Sequence, residues 1–182
     1  PLVQKAKADK IMIDHHESPD NYATLMYSDV SMSSTCEMVY NIIKDMDPNG
    51  FTPDISECLY TGIMTDTGSF RYPATTPATH RAIAHLIETG ASGTEIHQRI
   101  YDSASFSRLK LLGLTLSNLK QIPNLPVVYM TLSQKELNSC DYKKGDTEGF
   151  VNYGLSLEGI IFSCIMIENE NEGIIKISFR SQ

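Results

Sequence analysis

A chain of 182 residues, 41% hydrophobic and 20% charged, has a globular composition that is neither disordered nor fibrous, and its length allows one large domain or two small ones. The net charge of −7, from 15 Lys+Arg against 22 Asp+Glu, argues against a wrapper of long duplex nucleic acid, because such proteins carry a basic face or stripe. No apolar run reaches the roughly 18–20 residues of a transmembrane helix. No export leader pattern is seen, so a cytoplasmic chain without membrane contact is expected. The chain opens on Pro1 rather than Met, as a processed or partial chain would. Cys36, Cys58, Cys140 and Cys164 show no CxxC spacing, so four buried reduced thiols are expected rather than structural zinc or a disulfide framework.

Lys10-Ile11-Met12-Ile13 reads as a buried strand that ends in Asp14-His15-His16, and α/β sheets place functional groups just past strand ends. A polar stretch follows from Glu17 to Val30. Ser34-Thr35-Cys36-Glu37 reads as a capping box, with Glu37 reaching back to Ser34. Met38, Val39, Ile42, Ile43 and Met46 then recur at helical spacing until Asp47-Pro48-Asn49-Gly50 stops the helix. Pro53 and Asp54 open a second helix that leads into the turn Thr65-Asp66-Thr67-Gly68-Ser69. Thr76-Pro77 opens a third helix, closed by Gly90, and a short one runs from Thr94 to Tyr101. A longer helix over 107–121 carries a stripe of Leu109, Leu112, Leu116 and Leu119, expected to be core.

Pro123 and Pro126 mark a boundary. Beyond it the pattern predicts a strand over 127–132, a capped helix at Ser133-Gln134-Lys135-Glu136 and a polar loop over 142–148. A helical stretch over 149–157 follows, then two strands, 160–167 and 174–179, joined by an acidic hairpin turn. The expected division is residues 1–121 and 122–182. These hold 10 basic and 14 acidic, then 5 basic and 8 acidic residues, for net charges of −4 and −3. Any phosphate would therefore be held by a local device: a metal, a helix N-terminus or a few Arg.

Asp14, His15 and His16 offer imidazole and carboxylate donors suited to Mn²⁺, Fe²⁺ or Zn²⁺. Neighbouring His side chains on a regular strand point to opposite faces, but at a strand end one can bind metal while the other meets substrate. The alternative is that Asp14 caps a helix and one His lies on the surface. Asp66 sits in a dense polar turn, where it can reach a metal or simply close an Asx-turn. Arg71 and Arg180 are candidate phosphate clamps, or surface ion-pair partners. His80, His85 and His97 lack i, i+4 spacing and read as structural or exposed.

In combination these segments are similar to the DHH phosphoesterase superfamily. Ile11-Met12-Ile13-Asp14-His15-His16 resembles its third motif. Ser33-Ser34-Thr35 and the run TGIMTDTGSFR over 61–71 resemble its fourth-motif region. Gly149-Phe150-Val151-Asn152 and Lys176-Ile177-Ser178-Phe179-Arg180-Ser181 resemble segments of its DHHA1 domain. The nearest group is that of the small nanoRNase/pAp phosphatases, often called exopolyphosphatase-related.

The resemblance implies an α/β fold: the C-terminal part of a Rossmann-like DHH domain with a parallel sheet, then a smaller α/β DHHA1 domain. It implies that His15 and Asp66 bind one Mn²⁺ of a pair, with Mg²⁺ or Co²⁺ as substitutes. His16 would lie beside the scissile phosphate, with Asp14 supporting it. Arg180, and less strongly Arg71, would grip substrate, and Ser34 at a helix N-terminus would donate to a phosphate oxygen. The family's first two motifs and its Gly-Gly-Gly-His segment have no counterpart here, so the 182 residues by themselves are expected to be inactive.

The implied reaction is in-line hydrolysis of short RNA or a 3′,5′-nucleoside bisphosphate by a two-metal mechanism, with a homodimer as one assembly the resemblance allows. Alternatives are a cyclic or linear dinucleotide phosphodiesterase, an exopolyphosphatase, and an inactive nucleotide-binding DHH domain.

Overall fold

The computed structural model describes residues 2–181, which fall into two compact units that divide after Asp102. The first unit opens with a short helix, α1 (Leu2–Lys5), and a two-stranded parallel sheet, β1 (Ile11–Asp14) with β2 (Leu25–Ser28). Ile11 lies opposite Leu25 and Asp14 opposite Ser28. β2 falls inside the stretch expected to be polar loop. β1 is also less covered than its apolar run suggests: Ile11 is 69% exposed, and Leu25, Met26 and Tyr27 are exposed on β2.

Four helices carry the core of this unit: α2 (Thr35–Met46), α3 (Pro53–Asp66), α4 (Pro77–Glu88) and α5 (Gly93–Tyr101). Each begins with a side-chain cap, Ser34, Thr52, Thr76 or Ser92, whose oxygen accepts an otherwise unpaired first-turn N–H. On α3, Leu59, Tyr60, Ile63 and Met64 recur at helical spacing and are buried against Tyr40, Phe51, Ala82, Ile83, Leu86 and Ile96. Gly62 lets α2 close on α3: a Cβ there would fall 2.1 Å from Cys36 Sγ. That close approach fixes the helix whose last residue is Asp66.

The second unit begins with α6 (Phe106–Ser117) and contains a four-stranded sheet. Its order is β3 (Lys120–Gln121), β4 (Val127–Leu132), β5 (Phe162–Asn169), β6 (Ile174–Ser181). The central β4–β5 pair is parallel, and both outer pairs are antiparallel. α7 (Gln134–Ser139) and a 3₁₀ helix (Phe150–Ser156) make the crossover between the parallel strands. Ser133 and Glu136 form the complete capping box that was expected.

The expected boundary after Gln121 moves to Asp102. The physical reason is that Leu111, with Leu112, Leu114 and Leu119, packs with Met130, Leu132, Leu137, Phe150 and Ile165. The expected Leu stripe is thus core only in part: Leu112 and Leu119 are half-buried, Leu109 and Leu116 are exposed, and the fully buried leucine of α6 is Leu111, on the neighbouring face. The predicted helix over 107–121 ends at Ser117, and Lys120–Gln121 turn into strand. Arg108 ties α6 to the loop ahead of the 3₁₀ helix, donating to the carbonyls of Gly145, Asp146 and Glu148. Cys140 and Cys164 are buried, but Cys36 is half-buried and Cys58 exposed, so the expectation of four buried thiols holds for two; none is in a disulfide.

Candidate functional site

Strand β1 delivers Asp14 at its last position, and the chain then turns so that His15 and His16 diverge, with ring centroids 4.6 Å apart. His16 Nδ1 lies 2.7 Å from Asp14 Oδ1, and the His16 backbone N–H also donates to that oxygen. The ring hydrogen bond and then the backbone one hold the Asp14 carboxyl below its usual range. An ionised carboxylate can only accept, so His16 Nδ1 carries the proton. Its Nε2 is then turned outward on a side chain that is 76% exposed.

His15 is oriented by a different partner. Its Nδ1 lies 3.3 Å from the Met32 carbonyl, which can only accept, so Nδ1 is again the N–H and Nε2 carries the lone pair. That nitrogen faces Asp66 Oδ2 at 3.7 Å. The gap is too long for a hydrogen bond and short enough for a single ion to touch both atoms. Asp66 is the final residue of α3 rather than a turn residue, so helix α3 aims its carboxylate.

One nitrogen and one oxygen donor are the chemistry that Mn²⁺, Fe²⁺ or Zn²⁺ accept, and the hydrogen bond from His15 Nδ1 to a carbonyl is the usual support for a metal-binding imidazole. The pair fits as part of a metal site. Among the described residues, no group of three or more His, Cys, Asp or Glu side chains is arranged to hold an ion. Burial, then the negative charge of Asp66 and the thiol of Cys58, push the Cys36 thiol up, which keeps this neighbour protonated and neutral.

The remaining sequence candidates are placed differently. Ser34 is completely buried as the α2 cap, and its oxygen accepts from the Glu37 N–H, so it does not present a hydroxyl to solvent for a phosphate. Arg71 is exposed and its Nε donates to the Gly68 carbonyl at 2.7 Å. It follows three consecutive left-handed residues, Gly68, Ser69 and Phe70, with φ of 56°, 61° and 65°, a conformation costly for Ser and Phe. Ser69 Oγ meets His97 Nε2 at 3.0 Å, and His97 Nδ1 donates to the Gly93 carbonyl, which braces that turn. Arg180 belongs to the second unit, exposed on edge strand β6, with Nη1 on the Phe179 carbonyl.

Sequence reasoning missed the Met32 carbonyl and misassigned Glu37. The Glu37 side chain does not close a capping box with Ser34. It accepts from Ser33 Oγ and, at 2.9 Å, from Thr79 Oγ1 of α4. A carbonyl has no residue signature. The Glu at the third helical position was visible, but its partner 42 residues away was not.

Residues 1–63 match the model of the DHH family, N-terminal domain, and the strand end that carries Asp14, His15 and His16 lies within the matched residues. Asp66 lies just beyond the matched residues. The chain is 27% identical to the bifunctional oligoribonuclease and PAP phosphatase NrnA of Bacillus subtilis, over 96% of this chain and 55% of that protein. It is 30% identical to the Thermus thermophilus protein of the same name, over 94% of this chain and 50% of that protein. The chain thus spans about half the length of these relatives. Among solved structures, an exopolyphosphatase-related protein from Bacteroides fragilis matches with a TM-score of 0.95 and 37% identity, over 100% of this chain and 53% of that one.

Proposed function

We propose that this chain supplies part of the active site of a metal-dependent phosphoesterase that hydrolyses short oligonucleotides or a 3′,5′-nucleoside bisphosphate. The observation that carries the reading is the pairing of His15 Nε2 with Asp66 Oδ2 across 3.7 Å, beside an Asp14-oriented His16. The likeness to proteins named bifunctional oligoribonuclease and PAP phosphatase supports the substrate class. Since the chain spans about half of those relatives, the activity is proposed for a protein containing the whole of both domains.

His15 and Asp66 would hold one ion, with Mn²⁺ the first choice and Mg²⁺ or Co²⁺ as substitutes. The chemistry that such metal binding would supply is a lowered pKa for water and an offset for charge on the phosphoryl oxygens. His16, fixed by Asp14 through Nδ1–H, would act as the imidazolium, whose Nε2–H donates to a phosphate oxygen or to the departing oxygen, where the hydrogen bond strengthens as charge develops. Arg71 would supply a guanidinium group for a further phosphate of the substrate. An acidic chain suits short substrates held by a few local charges better than a long strand held by a basic channel.

The test is a panel assay with Mn²⁺ on the complete protein, comparing a 3′,5′-nucleoside bisphosphate, a dinucleotide, a cyclic dinucleotide and polyphosphate. Turnover of the first two is expected. Preference for polyphosphate or the cyclic dinucleotide would replace the proposed substrate class, and binding without turnover would mark a nucleotide-binding domain.

A further inference from the structure

Glu37 is a carboxylate with 4% exposure, set in the first turn of α2. The partial positive charge of a helix N-terminus favours it there, and two hydroxyls satisfy it: Ser33 Oγ and Thr79 Oγ1. Both donors are themselves buried, Ser33 at 3% and Thr79 at 0%. This cluster joins the N-terminus of α4 to the segment just ahead of α2.

That segment is fastened at its other end as well. The Asp29 N–H donates to the Asp14 carbonyl, and Asp29 Oδ1 accepts from the Ser31 N–H and Oγ. Between the two anchors lies Met32, whose carbonyl accepts the His15 Nδ1–H. The position of one carbonyl therefore sets which His15 nitrogen carries the lone pair that faces Asp66.

We infer that Glu37 is a positioning residue for His15: through Ser33 it holds the Met32 carbonyl, which keeps Nε2 of His15 unprotonated and aimed at Asp66. The inference rests on the reading of His15 and Asp66 as metal ligands, but its central claim concerns the imidazole tautomer. Replacing Glu37 by Ala would leave the buried Ser33 hydroxyl without its acceptor and free the loop at its α2 end.

The test uses the full chain, with ¹⁵N NMR of the His15 ring and a Mn²⁺ titration followed by electron paramagnetic resonance. The wild type is expected to show His15 protonated at Nδ1. Glu37→Ala and Ser33→Ala are expected to mix the tautomers and weaken Mn²⁺ binding by about 10–100-fold, the usual effect of losing an outer partner of a ligand. Glu37→Gln keeps an oxygen acceptor and should restore most of both signals. Ser92→Ala, which removes the α5 cap, should move neither. A folded Ser33→Ala or Glu37→Ala protein with wild-type His15 signals would overturn the inference, and Ser33→Ala decides it if Glu37→Ala does not fold. A wild-type chain that takes up no Mn²⁺ would count against the metal reading alone, and the ring signals would still decide the role of Glu37.

Discussion

β1 and β2 pair in parallel over four residues and remain open to solvent, whereas β4 and β5 pair in parallel over six, with Val128, Met130 and Leu132 buried. Parallel strands are normally covered on both faces. In the second unit β3 and β6 flank the pair, and α6, α7 and the 3₁₀ helix pack with its strands. In the first unit the helices bury one another through α3, and the strand pair contributes chemistry in place of core. The ionisable groups differ as well: Asp14, His15 and His16 leave the end of β1 with imidazole and carboxylate side by side, whereas β5 runs out into exposed carboxylates alone, Glu168, Glu170 and Glu172. Coverage of a strand is decided by its neighbours, since Ile-Met-Ile on β1 is as apolar a run as Val-Val-Tyr on β4.

Four experiments break or sharpen that contrast. His15→Ala should have the largest effect, a loss of phosphoester hydrolysis by the complete protein that exceeds the roughly 100-fold cost of losing an outer partner. Its thermal unfolding should barely change, because the residue packs no core; retained activity would remove His15 from the site. Leu111→Ala should do the opposite, lowering the stability of the second unit by about 2–5 kcal/mol. That loss is read by denaturant unfolding, with the His15 and His16 ring signals unchanged.

Gly62→Ala tests how the helices of the first unit set the site. The added methyl must displace Cys36 Sγ, at a cost of about 1–3 kcal/mol, and it should move Asp66 away from His15. Weaker Mn²⁺ binding together with a lower Tm is the expected outcome.

The smallest effect is one of pH. The Ser133 N–H, then the Asn118 amide and the Ser133 hydroxyl hold the Glu136 carboxyl below its usual range. A depressed folded-state pKa means that ionised Glu136 adds stability above the ordinary glutamate range, and that this is lost as pH falls through the lowered value. Acid titration of wild type and Glu136→Gln should therefore converge below that value and diverge above it. Equal stabilities at neutral pH would show that the capping box adds nothing.

Much of this architecture was legible because its signals are local. Ser34, Thr76 and Ser133 cap where their sequence context says, and the strand over 127–132 has the predicted bounds. β2 was hidden because Leu25-Met26-Tyr27-Ser28 is short, lacks alternation and sits in a polar stretch. The boundary after Asp102 was hidden because a Leu stripe announces burial without naming its partner. Asp66 could be singled out as a functional carboxylate, but the sequence placed it in a turn, whereas α3 runs through it to a cap at Thr67.

The sequence by itself determined the helix starts, the strand end bearing Asp14, His15 and His16, and the class of chemistry those donors allow, since caps, turns and ligand types act over a few residues. Only the tertiary structure decided that His15 meets Asp66. It also decided that Glu37 reaches Thr79 instead of its own helix cap. These contacts depend on how α2, α3 and α4 pack against one another and on a backbone carbonyl that no side chain marks.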